Sequence, residues 1–303
     1  MHRTAILLLI SAILIPLLTW YLGESPSEQQ WAVLKTCGLV AFGLSMLCFI
    51  TGEITKNYSQ VDKIWSLSPL AYAWITVGYY PNDPRLWLMA ILISIWGLRL
   101  TYNFSRRGGY SWKIWEGEED YRWEIVKSKP YLKIKWVWSV FNLVFISIYQ
   151  NLLILLFTAP IIASIVVPNN PLTYWDAILG LLALGLIIIE TVADQQQWNF
   201  QNAKSKRINN TDGKASGPNF ISTGLWARSR HPNYQAEQSF WLVIYLLSIV
   251  GSQQIFNWSI IGICLLVLLF WGSSNLSEDI SKSKYPEYAD YQDKVPRYWP
   301  GIF

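Results

Sequence analysis

The sequence predicts an all-α, polytopic transmembrane helix bundle of about seven or eight spans, and three observations carry that reading. Hydrophobic residues make up 52% of the chain against 15% charged, and mean hydropathy is +0.23, a balance typical of integral membrane proteins and not of soluble domains. The apolar residues fall in runs of about 20, the length that crosses the hydrocarbon core of a bilayer. The basic residues sit in alternate loops. Of 24 Lys and Arg, 21 fall at the N-terminus, in loops 51–64, 105–135 and 195–233, or in the tail 275–303; Lys35 and Arg85 lie on the opposite side and Arg99 within a span. That asymmetry is the positive-inside pattern. It places both termini in the cytoplasm and makes the net charge of +4 a matter of topology, with no nucleic-acid patch in it.

The elements follow in order. Spans are expected at about 4–22, 31–50, 65–81, 86–104, 136–160, 174–194, 234–251 and 255–274. The first begins MHR and lacks a small-residue cleavage site, so it reads as a retained helix. The spans form one domain, 1–303, without an internal repeat. Loop 105–135 mixes aromatic and charged residues, as interfacial segments do. Loop 195–233 is turn-rich. The tail SKYPEYADYQDKVPRYWPGIF is too aromatic for a disordered segment and is expected to fold back. Together these cytoplasmic parts form a cap over an intramembrane cavity. Cys37, Cys48 and Cys264 lie in spans without a zinc spacing. There is no Gly-rich dinucleotide fingerprint, phosphate-binding loop or HExxH.

Candidate chemistry gathers where polar side chains enter the apolar runs. In SRHPNYQAEQSFW, residues 229–241, Pro232 suits the first turn of a helix. The free N–H groups of that turn, with Arg228 and Arg230, make an anion site. His231 titrates near neutrality, Asn233 offers a donor and an acceptor, and Glu237 lies one turn further on the same face. Plain readings also stand: Asn233 as a cap, Glu237 as a dipole complement, the arginines as topological anchors. In the preceding span, Glu190 and Asp194 share one helical face at membrane depth, where a carboxylate needs a partner or a cavity. The amino-terminal half supplies Glu53, Gln60 and Asp62, then Arg99, Asn103, Arg106 and Arg107. Arg99 is either a ligand or a snorkelling side chain. Asp120–Trp123 is a loop clamp or interfacial packing.

These motifs resemble the steroid 5-alpha-reductase-like superfamily, in its membrane branch of unknown function. GLWARSRHPNYQAE, ETVADQQQWNF, KYPEYADYQDKVPRYWP, VDKIWSLSPLAYAW, WGLRLTYNFSRRGGY and DYRW carry the resemblance. It runs from about residue 57 to the end, and its motif-bearing part is 185–303. The resemblance implies about seven helices around a cytosol-facing cavity holding NADPH beside a lipid-like substrate; the sequence leaves the endoplasmic reticulum and a bacterial inner membrane equally open. It matches Asp194, Asn233, Tyr234 and Glu237 to the cofactor's nicotinamide and ribose end and shares His231 with this branch, while Glu190 and Arg230 join the cofactor candidates by their place beside these residues. Arg99, Asn103, Arg106 and Arg107 match its phosphate ligands, and Tyr285, Tyr288 and Tyr291 the closing tail. For the proton donor that polarises the substrate, Glu53, Asp62, Tyr102 and Tyr110 all stay open. The expected reaction is reduction of an activated carbon–carbon double bond by hydride from NADPH. Two alternatives remain. One is a membrane methyltransferase of the isoprenylcysteine or phospholipid type using S-adenosylmethionine; against it, Ala236 stands where its motif has glycine. The other is a non-catalytic lipid binder. Nothing in the sequence indicates an oligomeric state.

Overall fold

The computed structural model of the protein describes residues 25–111, 119–168, 171–210 and 217–298. The first expected span, 4–22, lies outside them. Within them the chain is helical and without strands, a polytopic bundle.

Helix α1 (Glu28–Thr55) starts in a capping box: the Ser27 hydroxyl accepts from the Gln30 amide N–H, and the Gln30 side chain accepts from the Ser27 N–H. It stops at Lys56, which turns left-handed at φ 56°. The short α2 (Gln60–Ile64) precedes the expected span 65–81, and only α3 (Ser68–Tyr79) falls inside it, with Pro69 in its first turn. Twelve residues reach about 18 Å, too short for a hydrocarbon core of about 30 Å. Helix α4 (Pro84–Ser105) is capped by the Asp83 carboxylate, which accepts from the Arg85 and Leu86 N–H groups. Helix α5 (Tyr121–Lys127) is short and capped by Asp120. Helix α6 (Lys135–Ala163) carries a π-helical stretch, Asn142–Tyr149.

Helix α7 (Tyr174–Asn210) is far longer than the expected 174–194. Its 37 residues run about 55 Å, so roughly 25 Å extends beyond a hydrocarbon core of about 30 Å. After a short 3₁₀ turn (Gly224–Ala227) come α8 (Pro232–Ser252) and α9 (Ile260–Lys284). Helix α9 starts later than expected because the Asn257 side chain holds a turn, accepting from the Ser259 N–H and hydroxyl at 3.1 and 2.6 Å. The tail forms α10 (Tyr288–Lys294).

Among the described residues, α1, α4, α6, α7 and α9 are long and apolar enough to cross a membrane. Helix α8 is long enough at about 31 Å, but Asn233, Gln235, Glu237 and Gln238 keep its first two turns polar. It packs against α7, α9 and α6. Leu39, Phe42 and Ile54 of α1 and Leu181 and Ile188 of α7 point outward, as lipid-facing residues must. Two glycines permit close approach. A Cβ on Gly262 would sit 1.9 Å from the Leu156 carbonyl of α6, and one on Gly97 would sit 2.6 Å from the Ser66 carbonyl. The second contact lays the segment before α3 directly on α4.

Helices α4 and α7 run parallel. Arg85 pairs with Asp176 near their beginnings, and Arg99 pairs with Glu190 fourteen residues later on each, about 21 Å along the axis. Arg85, expected in a loop, is 1% exposed. Its Nε and Nη2 bind both Asp176 oxygens at 2.7 and 3.0 Å, and Thr173 adds its N–H and hydroxyl to the same carboxylate.

Candidate functional site

At the other end of the bundle three helices each present an i, i+4 pair to a common centre: Arg99 and Asn103 from α4, Glu190 and Asp194 from α7, Asn233 and Glu237 from α8. Residues four apart share a helical face, which is why three local patterns meet in space. Asp194 is the hub. Its Oδ2 accepts from Arg99 Nη1 at 2.7 Å and from Asn103 Nδ2 at 2.8 Å, and its Oδ1 accepts from Asn233 Nδ2 at 3.1 Å. Arg99 Nη2 donates to Glu190 Oε1. Glu237 stands close enough to Arg99, Glu190 and Asp194 to interact electrostatically, with Trp65 in hydrogen-bonding reach. Glu190, Asp194 and Glu237 are 2%, 5% and 7% exposed, so three acids surround one buried guanidinium.

Four polar atoms of this centre are buried and lack a hydrogen-bond partner: Arg99 Nε, Glu190 Oε2, Asn233 Oδ1 and Glu237 Oε1. Buried polar groups are nearly always satisfied, so four such atoms in one centre stand out for the bonds they could still make. An aromatic floor lies one turn below. Trp96 packs edge-on to Trp241 at 4.9 Å, with Phe240 and Phe157 against them.

Above the centre are the basic residues. Arg106 donates to Asn103 Oδ1 at 2.9 Å and Gln195 Oε1 at 2.6 Å, and covers the Trp198 ring at 4.9 Å. Arg107 and Arg228 are exposed. The 3₁₀ turn before Arg228 is held to α7 by Leu225 N–H on Gln196 Oε1 at 3.0 Å and by the Trp226 indole on the Ala193 carbonyl at 3.1 Å, so all three arginines ring the same end of α7.

Arg230 and His231 face elsewhere. The buried Glu278 of α9 accepts from Arg230 Nε and Nη2 at 2.9 and 3.1 Å, from His231 Nε2 at 2.9 Å, from Gln292 at 2.9 Å and from Arg297 at 3.1 Å. Arg230 Nη1 also donates to the Gln292 and Val295 carbonyls. These bonds clasp the tail to the start of α8. Burial holds the His231 imidazole below its ordinary value despite the adjacent carboxylate, so a neutral ring donates Nε2–H. Tyr234 stacks on His231 at 5.3 Å and meets Phe270. Tyr285, Tyr288 and Tyr291 gather around Phe220 rather than over the acidic centre. Tyr291 donates to the Trp226 carbonyl, and the Tyr285 hydroxyl accepts from Lys204 at 2.8 Å.

The four donor candidates separate. Tyr102 is 68% exposed and points outward. Glu53 accepts from Asn142 at 2.9 Å and lies 3.5 Å from Lys56. Tyr110 donates to the Lys63 carbonyl at 2.8 Å. Asp62 lies beside Ser59, Trp123 and the Asp120–Arg122 pair, with its Oδ2 buried and unpartnered. Burial pushes its carboxyl up, only partly opposed by Arg122. For Asp120 the balance is reversed: burial raises it, but hydrogen bonds from Arg122 bring it below the usual carboxylate range. Arg122 in turn faces Tyr234, which joins this group to the start of α8.

Sequence reasoning passed over Glu278 and Arg297. The signal was an acid repeating the Glu190 pattern at the end of an apolar run, hidden among the charges of SEDISKSK. Trp65 and the Trp96–Trp241 floor read as ordinary apolar residues.

Among known proteins, the family described as a protein of unknown function (DUF1295) matches residues 48–295. An uncharacterized protein of Schizosaccharomyces pombe is 37% identical over 277 residues, covering 85% of this chain and 78% of the relative. No solved structure matches. The chain belongs to the DUF1295 family.

Proposed function

We propose that this DUF1295 member is a membrane reductase that saturates an activated carbon–carbon double bond of a lipid-like substrate using NADPH. The observation that carries the reading is the convergence of four unpartnered buried atoms on the acidic centre. Asn233 Oδ1 accepts, and Glu190 Oε2 and Glu237 Oε1 can accept or, when protonated, donate, which fits a group carrying both donors and acceptors such as a carboxamide and a ribose. Asp194, Asn103 and Arg99 fix those groups in place. Arg106, Arg107 and Arg228 stand where phosphates would be held at the cytoplasmic end. The superfamily resemblance points to the same residues. When bound, NADPH supplies the hydride.

The chain's own part is orientation, a buried setting and one proton. Burial of Glu190, Asp194 and Glu237 strengthens every charge interaction among them. Of the four donor candidates Asp62 fits best, because burial raises its carboxyl above the ordinary carboxylate value and its Oδ2 is buried among the loop residues beside α8. The test is NADPH binding by the purified full chain. Asn233→Ala and Glu237→Ala should each weaken it at least about tenfold, the value of one buried hydrogen bond. Unchanged affinity in both removes the reading.

One observation favours a second cofactor. Three carboxylates around a single arginine also suit the sulfonium of S-adenosylmethionine, and with it a methyltransferase. Mass spectrometry of the nucleotide retained through purification separates the two.

A further inference from the structure

Three buried carboxylates and one guanidinium cannot all stay ionised at low cost, since an uncompensated buried charge is expensive and the group neutralises instead. Hydrogen bonding shows where the missing proton sits. Both oxygens of Asp194 are occupied by donors, and Glu190 Oε1 has Arg99. Glu190 Oε2 and Glu237 Oε1 have no donor, yet the two carboxyl groups lie within hydrogen-bonding reach of each other. Two ionised carboxyl groups facing each other in this way repel unless a proton lies between them. The remaining neighbours are Arg99 and Asn103 on α4, Asp194 on α7, Asn233 on α8 and Trp65 from the segment before α3. Arg106 is directed to Asn103, Gln195 and the Asp194 carbonyl. None of these carries a second positive charge to the Glu190–Glu237 contact.

We propose that Glu190 and Glu237 share one proton and release it when a cationic ligand group is bound against them. The sharing follows from this chain alone; the release rests on the cofactor reading above. Arrival of positive charge supplies the compensation the proton provided, so an O–H bond breaks, the proton leaves to solvent and both carboxylates remain. NADP⁺, whose ring is positive, drives the release. NADPH, whose ring is neutral, does not. The acidic centre thereby distinguishes the two redox states of one nucleotide by charge.

Two measurements on the full chain in nanodiscs test this. Infrared spectroscopy of the ligand-free protein should show a protonated-carboxyl carbonyl band that shifts in D₂O, disappears in Glu237→Gln and in Glu190→Gln, and persists in Asp194→Asn. A wild-type protein without the band, or a band surviving both glutamine variants, overturns the shared proton. If one glutamine variant does not fold, the other and the wild-type spectrum still decide. Calorimetry in two buffers of different ionisation enthalpy should then find roughly one proton released per NADP⁺ and none per NADPH. NADP⁺ affinity should rise up to about tenfold per pH unit in the wild type, and stay flat in Glu237→Gln. Equal proton release by both nucleotides overturns the charge discrimination. Failure to bind either nucleotide in a protein that shows the band overturns the cofactor reading and leaves the shared proton standing.

Discussion

Helices α4 and α7 are joined by an arginine at each end, and the two junctions differ in kind. At one end Arg85 meets Asp176 alone, fork to fork, with Thr173 and the Pro171 carbonyl completing the bonds. Charges balance one to one, and neither residue leaves a buried atom without a partner. At the other end Arg99 meets Glu190 and Asp194, with Glu237 close by, and four atoms of the group are left over. The same two helices and the same kind of pair thus produce a closed rivet at one end and an incomplete constellation at the other. Buried ion pairs contribute little net stability when well made. Completeness therefore separates structure from site better than burial does.

The comparison breaks first at the rivet. Arg85→Ala leaves a buried Asp176 carboxylate unpaired and should cost about 3–5 kcal/mol, read as a large drop in detergent unfolding midpoint. Replacing both partners with apolar residues should recover most of that loss. The same truncation at Arg99 should cost less stability, about 1–3 kcal/mol, because the surrounding acids can take up protons, while nucleotide binding is abolished. A larger stability loss at Arg99 than at Arg85 would reverse the assignment of the two ends.

Glu278 offers an intermediate case, a single acid with several donors. Glu278→Ala should free the tail, seen as faster proteolysis within 285–298, at a stability cost of about 1–3 kcal/mol. A smaller effect belongs to His231. Its folded value lies below the unfolded one, so the unfolded chain binds more protons between the two values. Stability should accordingly fall as pH drops below about 6.5. His231→Asn should flatten that slope in a pH series of melting curves. Smallest of all, Glu237→Gln should melt within about 1 kcal/mol of the wild type, since the amide replaces a carboxyl that already holds a share of a proton.

Much of the incomplete end was legible in the sequence. Arg99/Asn103, Glu190/Asp194 and Asn233/Glu237 are spacing signals inside apolar runs, and a polar residue in such a run is conspicuous. What stayed hidden depends on three-dimensional pairing. Arg85 looked like a loop charge because its partner lies 91 residues away. Arg230 and His231 looked like an anion grip because the carboxylate that occupies them sits in α9. The span at 65–81 already reads as short, and Pro69 marks in the sequence where its helix begins. The tail tyrosines signalled folding without naming Phe220 as their centre, since packing against a loop leaves no periodic trace.

Because α7 continues unbroken past the bilayer thickness, one rigid rod bears Asp176, the Glu190–Asp194 pair and, ten residues beyond Asp194, the Lys204 foothold of the tail. A one-turn insertion between 195 and 203 would leave the acids in register and raise that foothold by roughly 6 Å while rotating it by about 40°. The tail would lose its seat though every residue that touches it were intact. Spacing along this rod is thus itself a heritable trait, as selectable as any side chain.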